Sequence, residues 1–225
     1  MDATIIKVGG SLAVQPEKLR ALCAKLAELS REYRLIVVPG GGEFADVARN
    51  LDRRFSLSPE VSHRMAILGM DQYGLLLSDL LPNSCLVSKL ESLQEALDSG
   101  KLPVFLPSTF FFAENALPNS WDVTSDSIAV FIAWQLHASR TILVTDVDGV
   151  CTSDPKKSSE AKLISELPAR DLLRMHERTS VDKFLPKLLL QLKTECFVVN
   201  GLHPERVQDI LKGQDTACTL ITSEL

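Results

Sequence analysis

Histidine and cysteine are scarce and scattered, and their distribution excludes one class of protein at once. The four histidines (His63, His137, His176, His203) stand far apart, and the five cysteines (Cys23, Cys85, Cys151, Cys196, Cys218) are odd in number with no C-x-x-C. Neither a zinc-ligand spacing nor a disulfide framework is present, so buried free thiols are expected. Long apolar runs are missing too: none approaches the ~20 residues of a membrane span. Positive charge is in deficit, 24 Lys+Arg against 29 Asp+Glu for a net charge of −5. That balance carries no general footprint for nucleic acid or an anionic membrane surface. There is no internal repeat, low-complexity tract or Gly/Ser linker. Met1-Asp2-Ala3-Thr4 lacks the charged and apolar regions of a secretory signal, and a cytoplasmic protein is the expectation.

What remains is ordinary globular material: 225 residues, 45% hydrophobic and 24% charged. That size fits one domain over 1–225, with its two halves as lobes. Short β-branched runs at Ala3–Val8, Leu35–Val38, Cys85–Val87, Pro103–Leu106, Thr141–Thr145, Cys196–Val199 and Ala217–Thr222 read as strands. Between them, apolar residues recur at helical spacing after Pro16 and over Phe44–Leu51, Pro59–Leu81, Glu91–Leu97, Lys183–Leu192 and Pro204–Leu211. Another helix starts at Thr124 or Ser125. Phe110–Phe112 reads as a brief apolar run before a small hairpin around Asn115–Ser120, and Leu163–Met175 as an amphipathic segment. Strands apolar on both faces, alternating with helices, predict an α/β sandwich on a mainly parallel sheet.

Ligands in such sheets bind beyond the carboxyl ends of strands, and three strand ends carry unusual chemistry. Lys7-Val8-Gly9-Gly10-Ser11 ends the first. Its glycines let backbone N–H groups approach phosphate oxygens, and Lys7 adds a point charge. Pro39-Gly40-Gly41-Gly42-Glu43 ends the second and opens a helix, whose N-terminus is itself an anion site. Thr145-Asp146-Val147-Asp148-Gly149-Val150 ends another, followed by Asp154-Pro155-Lys156-Lys157. Neither glycine loop matches G-x-G-x-x-G or the P-loop, and Lys157 stands where a calcium loop needs glutamate. Each loop alone is most often a turn. Together they make two facing phosphate cradles, the arrangement transfer between two phosphate-bearing molecules requires.

Phosphoryl transfer is chiefly positioning and charge stabilisation, so it needs cations held in place. Lys7 and Lys183 are candidates, and Asp126, in the first turn of its helix, is placed to accept from both. Spacing does not separate these roles from a helix-dipole acid and a surface lysine.

K-V-G-G-S at 7–11, P-G-G-G at 39–42, D-V-T-S-D at 122–126, T-D-V-D-G-V at 145–150, D-P-K at 154–156 and a lysine at 183 together resemble the amino acid kinase superfamily, in its order and over nearly the whole chain. The resemblance implies a three-layer αβα sandwich on an eight-stranded, mainly parallel sheet. It places the acceptor in an N-terminal lobe of about 1–120 and ATP in a C-terminal lobe of about 121–225. Carried over by position, Lys7, Asp126 and Lys183 are catalytic. Gly9, Gly10 and Ser11 bind ATP phosphates, and Thr145, Asp146, Asp148, Gly149, Val150 and Lys156 surround the nucleoside. Gly40, Gly41 and Gly42 hold the acceptor. Mg2+ rides on phosphates and water, with few protein ligands, and homo-oligomers are implied.

One departure matters: where the family carries a Gly-Gly-Met turn shortly before the second lysine, this chain has Arg178–Lys187, which leaves that lysine as 183 or 187. V-D-K-F-L-P-K-L-L and M-D-Q-Y-G-L at 70–75 resemble a subgroup, the [5-(aminomethyl)furan-3-yl]methyl phosphate kinases of methanofuran biosynthesis. Asp71 is the candidate there for the acceptor's amine. Uridylate kinase, isopentenyl phosphate kinase and a non-catalytic ATP- and oxometalate-binding storage protein of the same fold are the alternative readings.

Overall fold

The computed structural model describes residues 2–153, 158, 160–175 and 180–223. Its eight-stranded sheet runs β3-β4-β2-β1-β5-β7-β8-β6. The strands are β1 (Thr4–Val8), β2 (Leu35–Pro39), β3 (Ser84–Val87), β4 (Leu102–Phe105), β5 (Arg140–Thr145), β6 (Glu166–Pro168), β7 (Cys196–Asn200) and β8 (Cys218–Thr222). Every pairing is parallel except β7 with β8. The helices are α1 (Pro16–Leu29), α2 (Gly42–Phe55), α3 (Pro59–Leu80), α4 (Glu91–Asp98), α5 (Ser108–Glu114), α6 (Ser125–Gln135), α7 (Ala169–Leu172), α8 (Leu185–Leu192) and α9 (Glu205–Lys212).

Strand side chains alternate between two cores, as a pleated strand requires. Ile6, Val8, Val37, Ile142 and Val144 pack with α1 and α9 through Leu22, Leu26, Val207 and Ile210. Ile5, Ile36, Val38, Leu143 and Val198 pack with α6 and α8 through Ile128, Ile132, Leu185 and Leu189. These layers, helices on both faces of one sheet, are the αβα sandwich anticipated. Lys7 shares Ile5's face by the same alternation, and the helix over that face is α6. Its residues from Asp126 to Ala133 are buried without interruption, the mark of a helix enclosed on every side.

Two segments read without an element type are resolved, and the hairpin expectation is corrected. Phe110–Phe112 lies inside α5, where Phe110 and Phe111 pack on Phe131 with centroids 6.3 and 6.0 Å apart. A run of three phenylalanines satisfies a buried helix end as readily as a strand. No hairpin follows, because Asn115 closes α5 in the left-handed region at φ 44°. The amphipathic segment Leu163–Met175 divides into β6, which pairs with β8 at the sheet edge, and the single turn α7. Pro168 is tolerated there because an edge strand needs fewer donors.

Candidate active site

The ends of β1 and β2 are locked together by backbone. Gly9 N–H donates to the Val144 carbonyl at 2.8 Å, and Gly40 N–H to the Val8 carbonyl at 2.8 Å. A Cβ on Gly10 would stand 2.1 Å from the Gly42 nitrogen, so the two loops touch where only hydrogen fits. Gly42 itself has φ +52°. Above this seam lies a cavity of about 1100 Å³, lined by Gly10, Ser11, Gly41, Gly42 and Lys7 on the sheet side. Gly9 and Gly40 sit one layer below, their amides committed to neighbouring strands. The two anticipated cradles therefore open into one space.

Lys7 reaches Asp126 across the β1–α6 contact at 2.6 Å, with both side chains 8% exposed. Asp126 Oδ2 also accepts from the backbone N–H of Asp182 at 3.1 Å. Lys183 stands elsewhere: its ammonium is 3.8 Å from Asp122 and its side chain is 84% exposed. The structure thus does not bring both lysines onto Asp126. Lys183 does line the cavity, whereas Lys187 is exposed with its ammonium 5.7 Å from the Phe184 ring centroid. Of the two candidate lysines, 183 is the one on the cavity wall.

Asp182 was not singled out by the sequence, and the site is built around it. One carboxylate oxygen accepts from the Thr124 and Ser127 amides and the Thr124 hydroxyl, the other from the Ser127 hydroxyl and the Leu185 amide. It satisfies orphan donors at the starts of both α6 and α8. Burial pushes its carboxyl above the ordinary range and the charge of Asp126 pushes the same way, against the pull of the Ser127 and Thr124 donors. The local signal was an acid three residues before a helix opening on Leu185-Pro186. Arg49 and Trp121 were also missed. The guanidinium lies 4.7 Å from the Trp121 centroid and 2.5 Å from Asp46, a stack that joins elements far apart in sequence.

The loop after β5 makes a separate cluster. Asp148 accepts from Asn200 at 2.9 Å and Arg206 at 2.6 Å, and the Asn200 bond leads in holding its carboxyl below the usual range. Thr145 Oγ1 is 3.4 Å from Asp146 Oδ1, and Ser180 donates to the Gly149 carbonyl at 3.0 Å. None of Thr145, Asp146, Asp148, Gly149 or Val150 lines the cavity that holds Lys7. Val150 is fully buried in the core and its amide donates to the Thr219 hydroxyl at 2.8 Å. Lys156 lies outside the described residues. Asp71 accepts from the Ser108 amide and hydroxyl and does not line the cavity; burial raises its carboxyl despite those bonds.

A model of the amino acid kinase family matches residues 2–200. The chain belongs to the amino acid kinase family. It is 35% identical over 217 residues, 96% of each chain, to the [5-(aminomethyl)furan-3-yl]methyl phosphate kinase of Methanocaldococcus jannaschii. It is 25% identical to the uridylate kinase of Methanococcoides burtonii, covering 92% of this chain and 90% of that one. Among solved structures, uridylate kinase from Archaeoglobus fulgidus superposes with a TM-score of 0.77 at 22% identity, over 98% of this chain and 100% of that one. Isopentenyl phosphate kinase from T. acidophilum gives 0.64 at 21% identity, over 97% and 99%. These likenesses establish the shared eight-stranded αβα fold.

Proposed function

We propose that this amino acid kinase family chain is an ATP-dependent phosphotransferase whose acceptor is a small phosphate monoester, [5-(aminomethyl)furan-3-yl]methyl phosphate, converted to the diphosphate. The observation that carries the reading is the buried Lys7–Asp126 pair at the floor of a cavity walled by both glycine loops. A monoester oxygen is already anionic, so attack on the γ-phosphorus needs no strong general base. It needs two phosphates held in line and the charge on the moving group met by fixed donors. Lys7 supplies a cation that cannot drift, since Asp126 and the β1 register fix it. Gly10, Gly41 and Gly42 offer backbone at the places where phosphates would meet. Lys183, exposed on the cavity wall, adds a mobile cation on the nucleotide side.

The 35% identity to the furanyl phosphate kinase favours that acceptor over uridylate, and the wall agrees with it. Ile67, Met70, Val123 and Ile128 give a small apolar face suited to one flat ring. In this reading the acceptor lies toward residues 1–120 and ATP toward 121–225. Among the described residues no three of His, Cys, Asp and Glu gather to hold a metal ion; in this reading Mg2+ is carried by phosphate oxygens and water. When bound, the ion neutralises charge on the β- and γ-phosphates. No described helix is long and apolar enough to cross a membrane, in keeping with a cytoplasmic enzyme. A homo-oligomer belongs to the same reading, supported by exposed Val47 and Phe55 on α2 and Leu68, Leu75 and Leu76 on α3.

The test is ADP release with the furanylmethyl phosphate, UMP and isopentenyl phosphate compared side by side. Turnover is expected with the furan, and its diphosphate is identified by mass. A folded, ATP-binding protein that phosphorylates none of them sinks the reading; preference for UMP or isopentenyl phosphate reassigns the acceptor.

A further inference from the structure

We infer that His63 Nε2 is the group that receives the acceptor's amine, and that it sets the enzyme's preference for an aminomethyl-bearing phosphate over one without nitrogen. This deepens the acceptor reading above and rests on it.

His63 sits near the start of α3, 4% exposed, in the wall of the same cavity as Lys7. Its Nδ1 is 3.0 Å from Asn119 Oδ1. Asn119 is itself oriented, because its Nδ2 donates to Asn115 Oδ1 at 3.2 Å. An amide oxygen only accepts, so Nδ1 carries a proton, and in the Nδ1–H tautomer Nε2 presents a bare lone pair. That atom is buried and has no hydrogen-bond partner among the described residues. An orphaned buried acceptor is a cost that native folds rarely keep without a use.

Three of the wall's carboxylates are paired, while Glu43 is exposed to solvent. Asp126 faces Lys7, Asp46 faces Arg49, and Asp122 faces Lys183. The Trp121 ring carries Arg49, and its indole N–H donates to Asp52 at 2.7 Å. Among the described residues of the wall, His63 Nε2 is thus the acceptor both buried and unpaired, and Glu43 offers a solvent-exposed one.

The spacing suits the proposed acceptor. Gly69 of α3 is pressed on the start of α2, where a Cβ would stand 2.8 Å from the Ala45 nitrogen. That contact anchors α3 beside the second glycine loop. His63 lies between one and two turns earlier, roughly 9 Å along the axis, with Ala66 and Ile67 along the wall between and Met70 just past Gly69. A phosphate and an amine separated by a five-membered ring and two methylene arms span a comparable length. With the phosphate at Gly41 and Gly42, the ring meets Ile67 and Met70 and the amine arrives at His63. Nε2 is closed to solvent, so the amine reaches it as the wall yields to the ring. The hydrogen bond is thereby made in a dry place, where it discriminates most.

Two measurements test this. In the wild-type protein, 15N spectra of the His63 ring, assigned by their loss in His63→Gln, are expected to show the Nδ1–H tautomer. A proton on Nε2 overturns the proposal whatever the enzyme's substrate. In kinetics, kcat/KM for [5-(aminomethyl)furan-3-yl]methyl phosphate is compared with that for the 5-methyl analogue. Wild type is expected to favour the amine by about 10- to 100-fold, the range of one hydrogen bond to a charged group. His63→Leu is expected to erase that preference, chiefly through KM of the amine substrate, with His63→Gln retaining part of it through its amide oxygen. Equal use of both furans by wild type, or an unchanged preference in His63→Leu, overturns the inference and leaves the kinase reading standing. Turnover of neither furan, in protein that releases ADP with another monophosphate, overturns the acceptor reading and this proposal together.

Discussion

Two lysine–carboxylate pairs face one cavity and share almost nothing else. Lys7 and Asp126 meet at 2.6 Å with both side chains 8% exposed; Lys183 and Asp122 stand 3.8 Å apart with 84% and 59% exposed. The first pair is held by a strand register and a buried helix, so its geometry is that of the core. The second joins two exposed loops, where water and salt screen the attraction and side-chain entropy opposes it. The same chemistry thus serves as a fixed point in one place and as a movable arm in the other. A phosphoryl group in flight needs both, one cation that never reorganises and one that follows the nucleotide in.

The contrast breaks most readily at Lys7. Lys7→Ala is expected to lower kcat by about 10³-fold, the scale of losing one preorganised donor to the transferring group; activity within tenfold of wild type would remove Lys7 from the chemistry. Asp126→Asn strands a buried ammonium, and urea unfolding is expected to show a loss of about 3–5 kcal/mol. Asp182→Ala orphans the amides of Thr124, Ser127 and Leu185, with an expected cost of about 2–4 kcal/mol and a rise in hydrogen exchange at the starts of α6 and α8. Lys183→Ala sharpens the comparison from the other side: kcat falls by about 10- to 100-fold while stability stays within about 0.5 kcal/mol. The smallest effect belongs to Asp148. Its carboxyl is held below its ordinary value, so its contribution is complete above the unfolded-state value of about 4 and fades as pH falls through the folded one. Asp148→Asn is expected to be less stable than wild type at neutral pH and to converge with it in acid, read from urea midpoints at the two pH values.

The contrast also sorts what was legible in the chain. Lys7, both glycine loops and Asp126 could be read because each stands at a strand end or helix start, where local pattern and chemistry coincide. Their meeting in one cavity follows from adjacent parallel strands β1 and β2 ending at the same level. Lys183 was legible as a residue and not as a partner: the pairing with Asp126 anticipated for it is absent, and Asp122 takes its place. Asp182 carries little local pattern, since its five donors come from two helices far apart in sequence. His63 was read only as a scattered histidine. Its meaning lies in Asn119, a loop residue no periodicity connects to α3.

Composition and periodicity by themselves determined the alternating β/α order and the glycine-lined strand ends, because these depend on neighbours a few residues apart. Only the tertiary structure decided which carboxylate meets which ammonium, that Val150 belongs to the core, and that His63 Nε2 is buried without a partner among the described residues. Those outcomes are set by strand register and helix docking, which join residues through space at distances along the chain where local propensity carries no information.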